Sequence, residues 1–121
     1  MIGYVTLGTN DLDRAAAYYD ALFATIGGKR GMQGPRFISW GTGRGPAVGV
    51  IKPFDGQPAT PGNGNMTSLV MDSREKVDAF HAKALELGGT DEGACGERFP
   101  GFYAGYFRDL DGNKLCVFKM G

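Results

Sequence analysis

Two stretches of the sequence repeat one grammar at an offset of 62 residues, and that repeat limits the fold more than any other feature. The first, YVTLGTNDLDRAAAYYDALFATIGG, begins at Tyr4; the second, MTSLVMDSREKVDAFHAKALELGG, begins at Met66. Each opens on an apolar or β-branched run that reads as a strand, Tyr4–Thr9 and Met66–Met71. A capping signal follows: Asn10 with Asp13 three residues on, and Asp72 with Glu75. Leu12, Ala15, Ala16, Tyr19, Leu22, Phe23 and Ile26 then recur at helical spacing, as do Val77, Phe80, Ala84, Leu85 and Leu87. Gly27-Gly28 and Gly88-Gly89 stop the two helices, the second predicted one residue shorter.

Short strand candidates follow each helix. They are Lys29–Gln33, Arg36–Trp40 and Ala47–Ile51, then Asp91–Glu97, Phe102–Arg108 and Lys114–Lys119. The organisation is β-α-β-β-β twice, an α+β chain forming one domain over residues 1–121. Its modules span 1–52 and 66–121, joined by a Pro/Gly-rich linker, PFDGQPATPGNGN, over 53–65. The 21 glycines are aperiodic and sit between apolar runs, as turns between short strands require. A module of about 60 residues buries little core alone, so the halves are expected to share one sheet system or to pair with another chain.

Thirteen basic and thirteen acidic side chains cancel, and the pI is near 6.6. Without a basic field, nucleic acid is not an expected partner. No apolar run reaches the roughly 18–20 residues that cross a bilayer, so no membrane is expected. MIGYVTLGTN has no basic leader and reads as a strand. Cys95 and Cys116 form no CxxC pair and no disulfide framework, which points to a reducing, cytoplasmic setting.

VTLGTNDLDRAAAYYDAL, DSREKVDAFHAKALELGGTDEG and YFRDLDGNKLCVF together resemble the glyoxalase/bleomycin-resistance/extradiol-dioxygenase superfamily, the vicinal oxygen chelate (VOC) proteins, over nearly the whole chain. The resemblance implies paired βαβββ modules forming a curved, cup-like mixed sheet, with helices on the convex side. It implies a metal and substrate on the concave side, and frequent dimers; exposed strand edges agree with a homodimer. Family enzymes place His or Gln on the first strand, His on the first strand of the second module and Glu on the last strand. Those positions fall here on Tyr4, Met66 and Cys116, and a fourth ligand position falls near Gly49. Phenol, thioether, thiol and no side chain are a poor set for Mg, Mn, Fe(II) or Ni. No metal site and no cofactor are therefore expected.

Asp109-Leu110-Asp111-Gly112-Asn113 is oxygen-rich but not an EF-hand loop: Gly112 stands fourth rather than sixth, and the twelfth position is Met120 rather than Glu. It reads as a hairpin turn in which Gly112 and Asn113 supply left-handed backbone angles. The resemblance makes this turn a family hallmark. A hairpin centred on Asp111 sets Tyr106 opposite Cys116 on one face. If that face is the cup, period-two alternation gathers Tyr4, Thr6, Met66, Ser68, Tyr106, Cys116 and Phe118 as ligand-binding residues. The set suits a small, partly apolar molecule.

No catalytic residue is assigned. Cys116 lacks a base and reads as a buried, inert thiol. Tyr106 matches a position that acts in related dioxygenases, but without a metal it is expected only to line the pocket. His81, the sole histidine, reads as a partly buried structural residue. GTGRGPA, residues 41–47, reads as a hairpin loop, since no helix follows to receive phosphate. Tyr18 and Tyr19 read as helix packing, and strand parity leaves Trp40 open between core and cup.

Three readings follow. The expected one is a metal-free small-molecule binding protein, comparable to bleomycin-resistance proteins; bleomycin itself is cationic and the predicted cup has no carboxylate for it. The alternatives are a metal-dependent lactoylglutathione-lyase-type lyase or dioxygenase, and a non-catalytic interaction protein.

Overall fold

The computed structural model describes residues 1–121 and divides them into two compact units, Met1–Pro61 and Gly62–Gly121. The division falls inside the Pro/Gly-rich linker. No helix is long and apolar enough to cross a membrane.

The first unit runs β1 (Tyr4–Gly8), α1 (Leu12–Ala24), β2 (Lys29–Gln33), β3 (Phe37–Gly41) and β4 (Ala47–Ile51). Its four-stranded mixed sheet has the order β1-β4-β3-β2, with β1 parallel to β4 and the other pairs antiparallel. One face is core. Leu7, Ile38, Trp40 and Val50 are buried there, as are Ala15, Ala16, Tyr19, Leu22 and Phe23 of α1. Trp40 packs against Tyr19 and Phe23, with ring centroids 5.7 and 6.0 Å apart, which places it in the core. Each buried Leu, Ile, Val or Phe among them contributes on the order of 1.5–3 kcal/mol. Tyr18 and Tyr19 are both buried helix-packing residues. The Trp40 indole donates to Asp20 Oδ1 at 2.9 Å, and Arg30 grips the same carboxylate through two hydrogen bonds of 2.9 and 2.7 Å. The Arg30 hydrogen bond is the main reason the Asp20 carboxyl lies below its ordinary pKa, against burial.

The second unit repeats the plan: β5 (Thr67–Val70), α2 (Arg74–Glu86), β6 (Thr90–Phe99), β7 (Phe102–Arg108) and β8 (Lys114–Met120), ordered β5-β8-β7-β6 with β5 parallel to β8. Phe107, Leu115 and Val117 form the buried face, and Val77, Phe80, His81 and Ala84 of α2 are buried with them. Phe107 lies 6.3 Å from both the Phe80 and the His81 rings. Gly105 is on this face because a Cβ there would stand 2.6 Å from Cys95 Sγ and 3.0 Å from the His81 ring. The α+β, two-module architecture expected from the repeat is therefore present.

The helix boundaries correct three details. The caps are Asp11 and Ser73, one residue later than expected; their side chains accept from the Arg14 and Lys76 amides at 3.0 and 3.1 Å. Asn10 is used elsewhere, exchanging two hydrogen bonds with the Ala59 backbone, while Asp72 pairs with Lys76. Both regular helices have 13 residues, so the predicted length difference lies in the turns that follow them. Those turns end in the same way. Gly28 N donates to Phe23 O at 2.8 Å and Gly89 N to Ala84 O at 2.9 Å, after Gly27 and Gly88 take φ of 76° and 110°. This six-to-one closure needs a left-handed residue, which explains the doubled glycines.

Candidate functional site

The face of each sheet turned away from its helix is the candidate site. In the first unit Thr6, Gly49 and Ser39 stand side by side across β1, β4 and β3. Around them Tyr4, Thr6, Met32, Phe37, Ser39, Ala47 and Ile51 line a cavity of about 420 Å³. Two-residue alternation puts Tyr4 and Thr6 on this face, as expected. The sequence reading does not reach Met32, Phe37, Ser39, Ala47 and Ile51, although Phe37 and Ser39 share one alternation on β3. Ser39 Oγ accepts the Met32 amide at 3.0 Å, fixing the irregular β2–β3 pairing that brings Met32 to the site.

Gly49 makes room for the wall of this cavity. A Cβ there would overlap the Phe37 ring, with Cζ only 2.9 Å away and Ile38 O at 3.3 Å. Phe37 in turn meets Tyr4 edge-on at 6.4 Å. Gly49→Ala is therefore expected to cost about 1–3 kcal/mol by overpacking. Phe37→Ala in the same chain should recover part of that loss. Urea unfolding of the two single variants and the double variant measures the coupling, and strict additivity would contradict the contact.

A second, larger cleft of about 560 Å³ is lined by Lys29, Arg30, Trp40 and the loop at Thr42–Gly45. That loop joins β3 to β4 with Gly43 and Gly45 at positive φ, the hairpin role expected of GTGRGPA. The Arg30 guanidinium in this cleft is committed to Asp20.

In the second unit Ser68, Cys116, Tyr106 and Gly93 form the corresponding row across β5, β8, β7 and β6. The Tyr106–Cys116 register is the one expected from the turn, and Phe118 lies two residues along the same face, its ring 5.5 Å from Phe102. Burial pushes the Cys116 thiol above its ordinary pKa, opposed by the Ser68 hydrogen bond and by the charges of Arg98 and Lys114. Burial, reinforced by Asp78, pushes Cys95 up to about 11. Both thiols are protonated at neutral pH, which leaves no thiolate nucleophile.

The DLDGN turn uses its own oxygens. Asp109, 5% exposed, accepts from the Asp111 and Asn113 amides at 2.9 Å and from Asn113 Nδ2 at 3.0 Å. Gly112 alone takes the left-handed angle, φ 86°; Asn113 does not, and contributes through its side chain instead. His81, 7% exposed, is hydrogen-bonded to Tyr106 O at 3.0 Å and lies 3.3 Å from Asp91.

The positions matched to metal ligands do not form a fitting donor set. Met66 precedes β5 and lies on no strand, a correction to the expected Met66–Met71; the ladder with β8 begins at Thr67↔Leu115. Tyr4 is an exposed phenol, Cys116 a buried protonated thiol, and Gly49 is covered by Phe37. No three His, Cys, Asp or Glu side chains stand close enough to hold a metal. Tyr4 and Thr6 meet in the first unit; Ser68, Tyr106, Cys116 and Phe118 share the face of the second.

Comparison with known proteins returns the Glyoxalase/Bleomycin resistance protein/Dioxygenase superfamily, whose family model matches residues 1–117. A glyoxalase/bleomycin resistance protein from Albidiferax ferrireducens T118 is 37% identical, with TM-score 0.92, covering 100% of this chain and 99% of that one. The hypothetical protein SA1046 from S. aureus is 26% identical, with TM-score 0.77 and coverage of 98% and 92%. A lactoylglutathione lyase from Agrobacterium tumefaciens, 24% identical with TM-score 0.73 and coverage of 98% and 92%, shares the fold. No match was found among curated proteins.

Proposed function

The chain belongs to the glyoxalase/bleomycin resistance protein/dioxygenase superfamily, and we propose that this member binds a small, partly apolar molecule on its open sheet faces without the metal usual in the family. The observation that carries the reading is the cavity of about 420 Å³ in the first unit. Its volume lies in the range of small-molecule sites, and its lining joins aromatic and aliphatic carbon to the hydroxyls of Tyr4, Thr6 and Ser39. Apolar contact supplies affinity at such a site and the hydroxyls orient the ligand. The donor chemistry at Tyr4, Met66, Cys116 and Gly49 argues against a Lewis acid, and with it against the lyase and dioxygenase readings.

The test is titration of 2-naphthylmethanol, a neutral aromatic alcohol, followed by amide chemical shifts. Saturable shifts at Thr6, Ser39 and Ala47 are expected. Ala47 lines the cavity from β4, so Ala47→Phe fills it and should weaken binding at least about tenfold, a loss of ~1.4 kcal/mol, with the melting temperature nearly retained. Shifts that never saturate, or binding indifferent to Ala47→Phe, would count against the cavity.

A further inference from the structure

Beside the Arg108–Glu92 ion pair, the second unit's open face carries two further cations, Arg98 and Lys114, that form no ion pair. The Arg98 guanidinium lies 5.2 Å from the centroid of the Tyr106 ring and Lys114 Nζ lies 5.5 Å from it. Lys114 reaches this face because it stands two residues before Cys116 on β8 and opposite Arg108. Arg98 reaches it from β6 across Gly93 and Gly96, where a Cβ would stand 3.3 and 3.1 Å from the guanidinium. Its one hydrogen bond, 2.5 Å to Ala94 O, holds the side chain down on the sheet.

Most acidic side chains of the unit are engaged: Asp91 lies beside His81 and accepts the Gly93 amide, and Glu92 is held by Arg108 on this same face. Asp72 pairs with Lys76, Glu86 with Lys83 and Glu97 with Arg74. Asp78 accepts from Tyr103, and Asp109 is used by the turn. Two like charges held beside one ring repel each other, and an anion placed between them relieves that repulsion. Their field already reaches the middle of the face, since both pull the Cys116 thiol downward against its burial. Apolar surface begins next to the charges: Ala104 and Phe118 form the neighbouring row, about 7 Å along the strands, and Phe118 and Phe102 continue it. The face is thus polarised, cationic at Tyr106 and aromatic toward Phe102.

We propose that this face is a binding site for a small carboxylate with an apolar body, its anionic group held between Arg98 and Lys114 over Tyr106 and its carbon skeleton laid toward Phe118. The site deepens the small-molecule reading and rests on it, by naming the charge of the ligand and the residues that select it. Guanidinium and ammonium donors give charge-assisted hydrogen bonds that a neutral isostere cannot accept as strongly. A cationic ligand is repelled.

The experiment titrates the full chain with 2-naphthoate, with 2-naphthylmethanol as its neutral counterpart, and reads amide shifts and Kd. Naphthoate should bind the second unit about tenfold more tightly than the alcohol does, a difference of the size charge-assisted hydrogen bonds give, with shifts at Gly93, Tyr106 and Cys116. Arg98→Gln and Lys114→Gln should each weaken naphthoate about threefold to tenfold and leave the alcohol unchanged. Arg98→Lys keeps the charge and should retain part of the affinity, so a poorly folded glutamine variant would not hide the effect. Naphthoate binding should also weaken as salt is raised. Equal affinities for the two probes, naphthoate binding indifferent to both glutamine variants, or shifts confined to other residues would overturn the assignment. If the alcohol binds the first unit's cavity while naphthoate shows no preference at the second unit, only the anion site fails. If neither probe binds, the small-molecule reading fails with it.

Discussion

Phe107→Ala should lower the unfolding free energy by about 3–5 kcal/mol, the usual cost of emptying a fully buried phenylalanine site. Phe107 is 0% exposed near the C-terminal end of β7, where it joins the sheet to Phe80 and His81 of α2. Neighbouring residues have little freedom to close the void, because the strand already lies so near Cys95 and His81 that Gly105 has no room for a Cβ. A loss of this size is a large part of the 5–15 kcal/mol that typically holds a domain together. Urea denaturation followed by circular dichroism gives the value. A loss below about 1 kcal/mol would contradict the packing described for the second unit.

Asp109→Ala should cost about 3 kcal/mol, since it leaves buried donors without their acceptor. The carboxylate receives the Asp111 and Asn113 amides and the Asn113 side chain, and Asn113 is itself 5% exposed. Asp109→Asn should fall between wild type and alanine: one amide oxygen can still accept the two backbone N–H groups, but its NH2 then faces the Asn113 NH2. Melting temperatures for the three proteins, measured with and without a chelator, test two ideas at once. The structural reading predicts the order wild type, Asn, Ala, with no chelator effect on wild type. A wild-type melting temperature that drops with chelator would make DLDGN a metal loop after all.

Much of this architecture is legible in the sequence because its signals are local. The repeat at Tyr4 and Met66, the doubled glycines and the DLDGN turn each fix geometry within a few residues. The turn length alone sets Tyr106 against Cys116, and the structure has that register. What escapes depends on longer-range contacts. Asn10 is a sound capping residue by type, yet it is bound to Ala59, and Asp11 caps instead. Met66 reads as strand, but β5 begins at Thr67, where its ladder with β8 starts opposite Leu115. Arg98 could not be placed by alternation, because β6 carries three register shifts and each one resets which face a residue occupies. Lys114 was within reach of the same parity argument that found Cys116. Phe37 over Gly49 shows the other limit: a glycine at a ligand position shows that a donor is missing, and only the coordinates show what fills its space.

The two open faces differ in a way that bears on function. The first presents hydroxyls and carbon around a cavity; the second presents cations beside an aromatic strip. Neither gathers three of the imidazole and carboxylate groups on which hard divalent metals depend. Fold is shared across very different chemistries, so the proposed binding without a metal rests on these side chains rather than on the family.

The most direct test of that argument is elemental analysis of untagged protein after incubation with Zn, Ni, Mn and Fe(II), with a melting scan on the same samples. A ligand that binds the folded state must raise its stability by mass action. The account predicts no stoichiometric metal and no concentration-dependent rise in melting temperature. One equivalent of retained metal together with such a rise would contradict it and return the chain to metal-dependent chemistry.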